Sequence, residues 1–316
     1  MKRIIPFTGR LSDQEARLWI DQLQSAMPDF SIRHLDTLNS EQSAVAEVAI
    51  VANPDAERLS RLENLKWIQS VWAGVDEMLN SGVGEIIPIV RLVDPNLAKV
   101  MSEAVLAATF YLHRDIPRYL AQQSQSLWLQ HSVKLAHERT VGILGLGELG
   151  LEVAKSLVAN GFQVSGWSRS AKETRDLNIV SVHGRSGFKH VLNSSEILIV
   201  LLPLTPHTQG VINSESIKLM PEGASLVNFG RGPIVEEAAL LEALAKGHLQ
   251  HAVLDVFDQE PLPAAHPYWS NDKITVWPHI AAPTNKASAA NIVAHNVRTY
   301  FTDNKLPPTI NHQHRY

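Results

Sequence analysis

Short apolar runs and longer stretches of helical spacing take turns along this chain. In the first hundred residues the apolar runs are RIIPF, FSIRHL, EVAIVAN, LKWIQSV and IIPIVRL. Each has the length of a buried strand. Between the first three lie stretches such as DQEARLWIDQLQSAM, whose apolar positions recur at helical intervals. Strands alternating with helices predict a layered α/β domain. Its first strand leads into PFTGRL, which is a poor phosphate cradle.

A long helix is predicted over MSEAVLAATFYLHRDIPRYLAQQ, with Ser102 or the residues before it as the cap, Glu103 in the first turn and Pro117 interrupting it. A second βα series follows. Its predicted strands are TVGIL, FQVSGWS, ILIVLLP, ASLVNFG, HAVLDVF and ITVWPH. Helices are predicted over LGLEVAKSLVANG and EEAALLEALAKGH, stopped by Gly161 and Gly247. A last helix covers NKASAANIVAHNVRTYFTDNK, where Ile292, Val293, Val297, Tyr300 and Phe301 share one face. The tail LPPTINHQHRY is irregular, and the chain contains neither a repeat nor a low-complexity tract.

Composition narrows the class. A chain of 316 residues suggests two domains, and 45% apolar residues suffice for a substantial core. There is no cysteine, which removes thiol catalysis and Cys-ligated zinc and fits a reducing compartment. A formal net charge of -4 gives no support for nucleic-acid binding. The longest apolar run, ILIVLLPL, is too short for a bilayer, and MKRIIPFTGR lacks the apolar segment of a secretory signal. The expectation is a soluble cytoplasmic protein without membrane or nucleic-acid partners.

Chemistry enters with GLGELG, which places Gly145, Leu146, Gly147, Glu148, Leu149 and Gly150 between a predicted strand and a predicted helix. In a dinucleotide fold Gly145 permits the tight turn, Gly147 lets backbone approach a pyrophosphate, and Gly150 lets helix and strand pack closely. The helix N-terminus then meets negative charge. The chain has no Gly-Lys pair, so a triphosphate loop is excluded. About twenty residues on, GWSRS puts Ser168, Arg169 and Ser170 where an NAD site carries an acid. Arginine pairs with phosphate, and serine hydroxyls donate to the same oxygens. The strand tip therefore points to NADP(H), with NAD(H) as the weaker alternative. An arginine after a strand is also an ordinary solvated residue.

Three polar residues follow predicted strands: Arg231 in NFGRG, Glu260 in DVFDQEPLP and His279 in VWPHIAA. In a parallel sheet such strand ends face the ligand crevice. Arginine binds a carboxylate in bidentate fashion and polarises a neighbouring carbonyl. Histidine donates a proton to the carbonyl oxygen as hydride arrives, and a carboxylate beside it stabilises imidazolium. Together they suit reduction of a 2-oxo acid. Each also has a structural alternative, as a turn residue, a loop cap or a packed histidine. The chain has 14 histidines, and no H-E-x-x-H occurs.

The stretches TVGILGLGELG, LPLTPHTQGVIN, LVNFGRGPIVEEAALLEAL, AVLDVFDQEPLPAAHPYW and VWPHIAAPT resemble the D-isomer-specific 2-hydroxyacid dehydrogenases. The resemblance extends to LKWIQSVWAGVDEM in the first half. Within the family, WAGVD, the Ser-Arg-Ser strand tip and the short RY tail resemble most the bacterial branch that reduces glyoxylate and hydroxypyruvate. The resemblance implies that Arg231 binds the substrate carboxylate, His279 is the acid/base and Glu260 pairs with it. Ala73 and Gly74 would present backbone N–H groups to the carboxylate, and Trp72 would shape a small pocket. Leu202, Pro203 and Thr205 would line the cofactor's ribose side, Asn228 would support the Arg231 loop, and Asp255 would orient the nicotinamide carboxamide. It also implies two doubly wound α/β domains: a Rossmann domain over residues 101–283 inserted into a flavodoxin-like substrate domain of residues 1–100 and 284–316. Hinged closure of the two and a homodimer are further implications. Other readings left open are a dehydrogenase of another 2-hydroxy acid and a non-catalytic NADP-binding interaction protein.

Overall fold

In the computed structural model, which describes residues 2–311, the chain forms two compact units. One comprises the residues up to Asn96 together with those from Thr284 onward, and the other is Leu97–Pro283.

The first unit holds strands β1 (Ile4–Gly9), β2 (Ser31–His34), β3 (Val48–Ala52), β4 (Trp67–Ser70) and β5 (Ile89–Val90). They form one sheet in the order β2-β1-β3-β4-β5, and every pairing is parallel. That is the flavodoxin-like order. All residues of β3 and β4 are buried, because helices cover both faces of a parallel sheet. Ile5, Phe7 and Ile50 face a cluster with Trp19, Leu23, Val293 and Val297, while Ala49, Val51 and Ile68 face another with Leu35, Leu59 and Met78. The helix Asp13–Ala26 starts at a capping box in which Ser12 and Glu15 satisfy each other's backbone N–H. The helix Lys286–Asp303 starts at Asn285, whose side chain accepts from the N–H groups of Ala287 and Ser288 at 3.0 Å. Its buried face is Ala289, Ala290, Val293, Ala294 and Val297. Tyr300 and Phe301, expected on that face, are only partly buried at its end.

The second unit holds β6 (Thr140–Leu144), β7 (Gln163–Ser168), β8 (Val180–His183), β9 (Ile197–Val200), β10 (Ala224–Asn228), β11 (Leu249–Leu254) and β12 (Ile274–Val276). Their order is β12-β11-β10-β9-β6-β7-β8, all parallel. Counted within the unit, this is the Rossmann order 3-2-1-4-5-6 with a seventh strand added at the far edge. The order reverses between β6 and β9, so the loops after these two strands open the crevice where such sheets bind ligands.

Three local expectations are corrected. The helix expected near Ser102 runs from Pro95 to His113. Asp94 begins it by accepting the N–H of Asn96 at 2.8 Å, and Pro95 sits where its missing N–H costs nothing. Ser102 lies inside the helix, buried, with its hydroxyl on that of Ser156. The interruption falls at Arg114–Asp115, where Asp115 takes φ 52°, and Pro117 belongs to the first turn of the next helix, Ile116–Ser124. Finally, β8 was not expected. It is an edge strand, and none of its four residues is fully buried. Gly161 and Gly247 end their helices at φ 87° and 76°, a region open to glycine without strain.

Candidate active site

The glycine-rich turn lies at the end of β6. Gly145 has φ 113°, and its N–H donates to the carbonyl of Trp167 at 2.9 Å, which ties the turn to β7. A Cβ at Gly150 would stand 1.9 Å from the carbonyl oxygen of Gly145, so helix Glu148–Ala159 can pack this closely only without one. At Gly147 the reverse holds: a Cβ would meet nothing within 4 Å. The backbone there is open to approach. That helix also lacks a side-chain cap, so its first N–H groups keep no side-chain acceptor. An open glycine before an uncapped helix fits a pyrophosphate. Leu146 is buried in the core beneath the turn, Leu149 is partly buried, and Glu148 is exposed.

At the tip of β7 the Ser168 hydroxyl is buried and donates to the carbonyl of Ser170 at 2.7 Å. Ser168 thus shapes the turn, while Arg169 and Ser170 are exposed on it. After β9, Leu202 is buried, and Pro203 and Thr205 are held by a knot around Thr208. The Thr208 hydroxyl donates to the Pro203 carbonyl at 2.6 Å and lies 3.0 Å from that of Thr205. Thr208 was not singled out in the sequence, although the Thr205-x-x-Thr208 spacing is that of a side-chain-stapled turn.

Arg231 follows β10 on a turn pinned from both sides. A Cβ at Gly230 would lie 2.8 Å from the Leu202 carbonyl oxygen, and one at Gly232 only 2.1 Å from the Phe257 carbonyl carbon. Buried Asn228 braces the turn, donating to the Arg231 carbonyl at 3.0 Å and accepting the Gly230 N–H at 3.2 Å. The arginine's own Nη1 donates to the Gly230 carbonyl at 2.8 Å.

Glu260 and His279 meet at the ends of β11 and β12. His279 Nδ1 lies 2.6 Å from Glu260 Oε2, and the Phe257 N–H donates to Glu260 Oε1 at 2.9 Å. His279 takes φ 54°, and its N–H donates to the carbonyl of Asp255 at 3.0 Å. Asp255 is 2% exposed, and its Oδ1 accepts from the N–H groups of Ile280 at 2.6 Å and Ala281 at 3.0 Å. This clamp on the histidine turn was not legible in sequence, because its partners lie 25 and 26 residues apart.

Electrostatics follow from these contacts. The hydrogen bond to Glu260 raises His279 above the ordinary imidazole range, against the opposing effect of burial. Burial works against charge on Glu260, but the bonds from His279 and the Phe257 N–H outweigh it and hold the carboxyl low. Burial pushes Asp255 up, against the two backbone N–H groups. The contact thus favours the charged form of each partner, imidazolium on His279 and carboxylate on Glu260.

Trp72, Ala73 and Gly74 form the loop after β4 in the first unit. The Trp72 N–H donates to the Ser70 hydroxyl at 3.0 Å, and its ring stands edge-on to Trp19 with centroids 5.5 Å apart. Among the described residues, no group of three or more His, Asp or Glu side chains is arranged for a metal, and no helix is long and apolar enough to cross a membrane.

A Rossmann sheet, an open glycine turn and a His–Glu pair beside a pinned arginine together define a nucleotide-dependent 2-hydroxyacid dehydrogenase. The family model for the D-isomer specific 2-hydroxyacid dehydrogenase NAD binding domain matches residues 106–281, and the chain belongs to that family. It is similar to the glyoxylate/hydroxypyruvate reductase A of Salmonella heidelberg, 36% identical over 288 residues, which is 89% of this chain and 90% of the relative. Among solved structures it is similar to a D-isomer specific 2-hydroxyacid dehydrogenase from Xanthobacter autotrophicus in complex with NADPH and MES, with TM-score 0.92 and 33% identity over 100% of both chains. It is likewise similar to the NADPH-dependent glyoxylate/hydroxypyruvate reductase of Sinorhizobium meliloti in complex with NADP and sulfate, with TM-score 0.89 and 29% identity over 100% of both chains.

Proposed function

We propose that this chain uses NADPH to reduce small 2-oxo acids, glyoxylate to glycolate and hydroxypyruvate to glycerate. The observation that carries the reading is the 2.6 Å contact between His279 Nδ1 and Glu260 Oε2, placed at neighbouring strand ends with Arg231. The relatives named above for this activity, and those solved with NADPH or NADP, support it.

Bound at the glycine turn, the reduced dinucleotide supplies the hydride. The residues of the chain do the rest. Arg231 receives the substrate carboxylate and draws electron density from the adjacent carbonyl. With Nδ1 committed to Glu260, His279 presents Nε2 and gives its proton to the carbonyl oxygen as the carbon accepts hydride. The product alcohol leaves, and the imidazole regains a proton from solvent, to which it is 55% exposed. Gly145, Leu146, Gly147, Glu148, Leu149 and Gly150 cradle the pyrophosphate. Arg169 and Ser170 would meet the 2'-phosphate on the turn that Ser168 closes, which favours NADP(H) over NAD(H). Leu202, Pro203 and Thr205 would lie along the ribose, Asn228 fixes the Arg231 turn, and Asp255, which holds the histidine turn, would also orient the carboxamide. In this reading Leu97–Pro283 is the nucleotide domain and the other unit the substrate domain. The functional particle is a homodimer.

Replacing His279 with Ala tests the mechanism. Glyoxylate-dependent loss of NADPH absorbance should fall by about 10²- to 10⁴-fold. NADPH affinity, measured by fluorescence titration, should stay near that of the parent. Turnover close to the parent's would sink the assignment.

A further inference from the structure

A cavity of about 220 Å³ adjoins the Arg231 turn and the loop that leads to Glu260. Its floor is apolar, formed by Val235, Leu240, Leu254 and Leu262. Glu237, Asp258, His266 and Tyr268 open onto it. Arg231, Glu260, His279 and the glycine turn do not line it, whereas Asn228 and Gly232 of the Arg231 turn do, so it adjoins the proposed reaction site without containing its reacting groups.

Its polar groups are unevenly paired. Tyr268 is 8% exposed, and among the described residues its hydroxyl makes no hydrogen bond; only its backbone N–H is engaged, with His266 Nδ1. The Glu237 carboxylate lies 3.3 Å from His266 Nε2. The Asp258 carboxylate makes no hydrogen bond among the described residues and faces Glu237 and His266 electrostatically. Two carboxyl groups thus stand beside an apolar lining. Burial and then Glu237 push Asp258 up, and burial followed by both carboxylates pushes the Tyr268 phenol well up. The carboxylates add to the effect of burial in both cases, and a bound cation would offset that added part. A metal does not suit it, because no metal-ligand cluster exists among the described residues. A hydrophobic floor with two carboxylates and a phenol suits an organic cation.

We propose that this cavity binds a small primary ammonium with a short alkyl body. The ammonium donates to Asp258 and Glu237 and to the Tyr268 oxygen, and the alkyl chain lies on Leu240, Leu254 and Leu262. Occupancy bears on catalysis through the walls. Phe257, which lines the cavity, also gives its N–H to Glu260 at 2.9 Å, and Gly232 immediately follows Arg231. A ligand here braces both loops from outside the reaction site.

The test uses propylammonium chloride as the probe, with 1-propanol and sodium chloride as controls, on the full chain. The thermal midpoint should rise saturably with propylammonium alone, by about 3–6 °C near saturation. Asp258→Asn should keep the parent's cooperative thermal transition and far-UV circular dichroism, which shows that it folds, and lose this response; Glu237→Gln should weaken it. Equal responses to 1-propanol, or an Asp258→Asn protein that responds like the parent, would overturn the proposal. The measurement needs no substrate, so it stands or falls apart from the reading of the reaction.

Discussion

At the scale of single residues, the His279–Glu260 contact governs the pH dependence of the proposed reaction. The group that must be protonated for reduction is His279, whose folded value is raised chiefly by the bond to Glu260. Imidazolium therefore persists to higher pH than in a free histidine, and reduction is lost only as pH rises through the raised value. Glu260→Gln removes the charge that raises it. The alkaline limb of kcat for glyoxylate reduction should move to lower pH, while the rate well below neutrality suffers less. A charge-assisted hydrogen bond at a site this exposed is worth ~1.5 kcal/mol, so the loss on the alkaline side is roughly tenfold. An unmoved alkaline limb would show that Glu260 does not set the proton's affinity. The three side chains proposed for the chemistry were singled out in sequence because each is a polar group in the loop that follows an apolar strand. What keeps them in place was not legible. Asp255 reads in VLDVF as one more polar residue after a strand, and only folding brings it against the Ile280 and Ala281 N–H groups.

At the scale of elements, the tip of β7 divides the work between two residue types. Ser168 is turned inward and closes the turn onto Ser170, and Arg169 and Ser170 are exposed on it. A rigid turn that presents a guanidinium is what a 2'-phosphate requires. Arg169→Asp should lower kcat/KM with NADPH by about ten- to a hundredfold and leave kcat/KM with NADH nearly unchanged. Steady-state rates with both cofactors check this, and an equal loss for each would remove Arg169 from the phosphate site. Periodicity found the β elements wherever both faces of a strand are buried, as in β9 and β10, because such strands read as unbroken apolar runs. It failed at β8, an edge strand in which only Val180 and Val182 are apolar and no residue is fully buried, too short an alternation to stand out. Helix ends failed for a related reason. Ser102 has the chemistry of a cap, yet the apolar face continues N-terminally through Leu97, Ala98 and Met101, and burial of that face outweighs a local capping preference.

At the scale of the whole molecule, the segment after the helix Ile116–Ser124 is where the proposed homodimer is best tested. The chain there has no regular structure, but it is tied down. Gln122 donates to the Leu129 carbonyl at 2.8 Å, and the His131 N–H donates to the Tyr119 hydroxyl at 3.0 Å. These bonds hold out Leu127, Leu129, Val133 and Leu135, each at least half exposed, and Trp128, which is 93% exposed. Apolar side chains grouped on one fixed segment mark an interaction surface. Tryptophan is the residue type most often found at the energetic centre of such a surface, where truncation costs at least about 2 kcal/mol. A second copy of the chain is the partner that the homodimer reading supplies, and an isologous contact would bury this segment twice. Sedimentation equilibrium should therefore give the parent twice the chain mass, and Trp128→Ser should weaken self-association by about thirtyfold or more. The glycine turn and the three residues proposed for the chemistry lie on other loops, so NADPH binding by the variant should be retained and separates a lost interface from a lost fold. A parent that stays monomeric at every accessible concentration would leave the exposed segment for a different partner and remove the homodimer from the proposal.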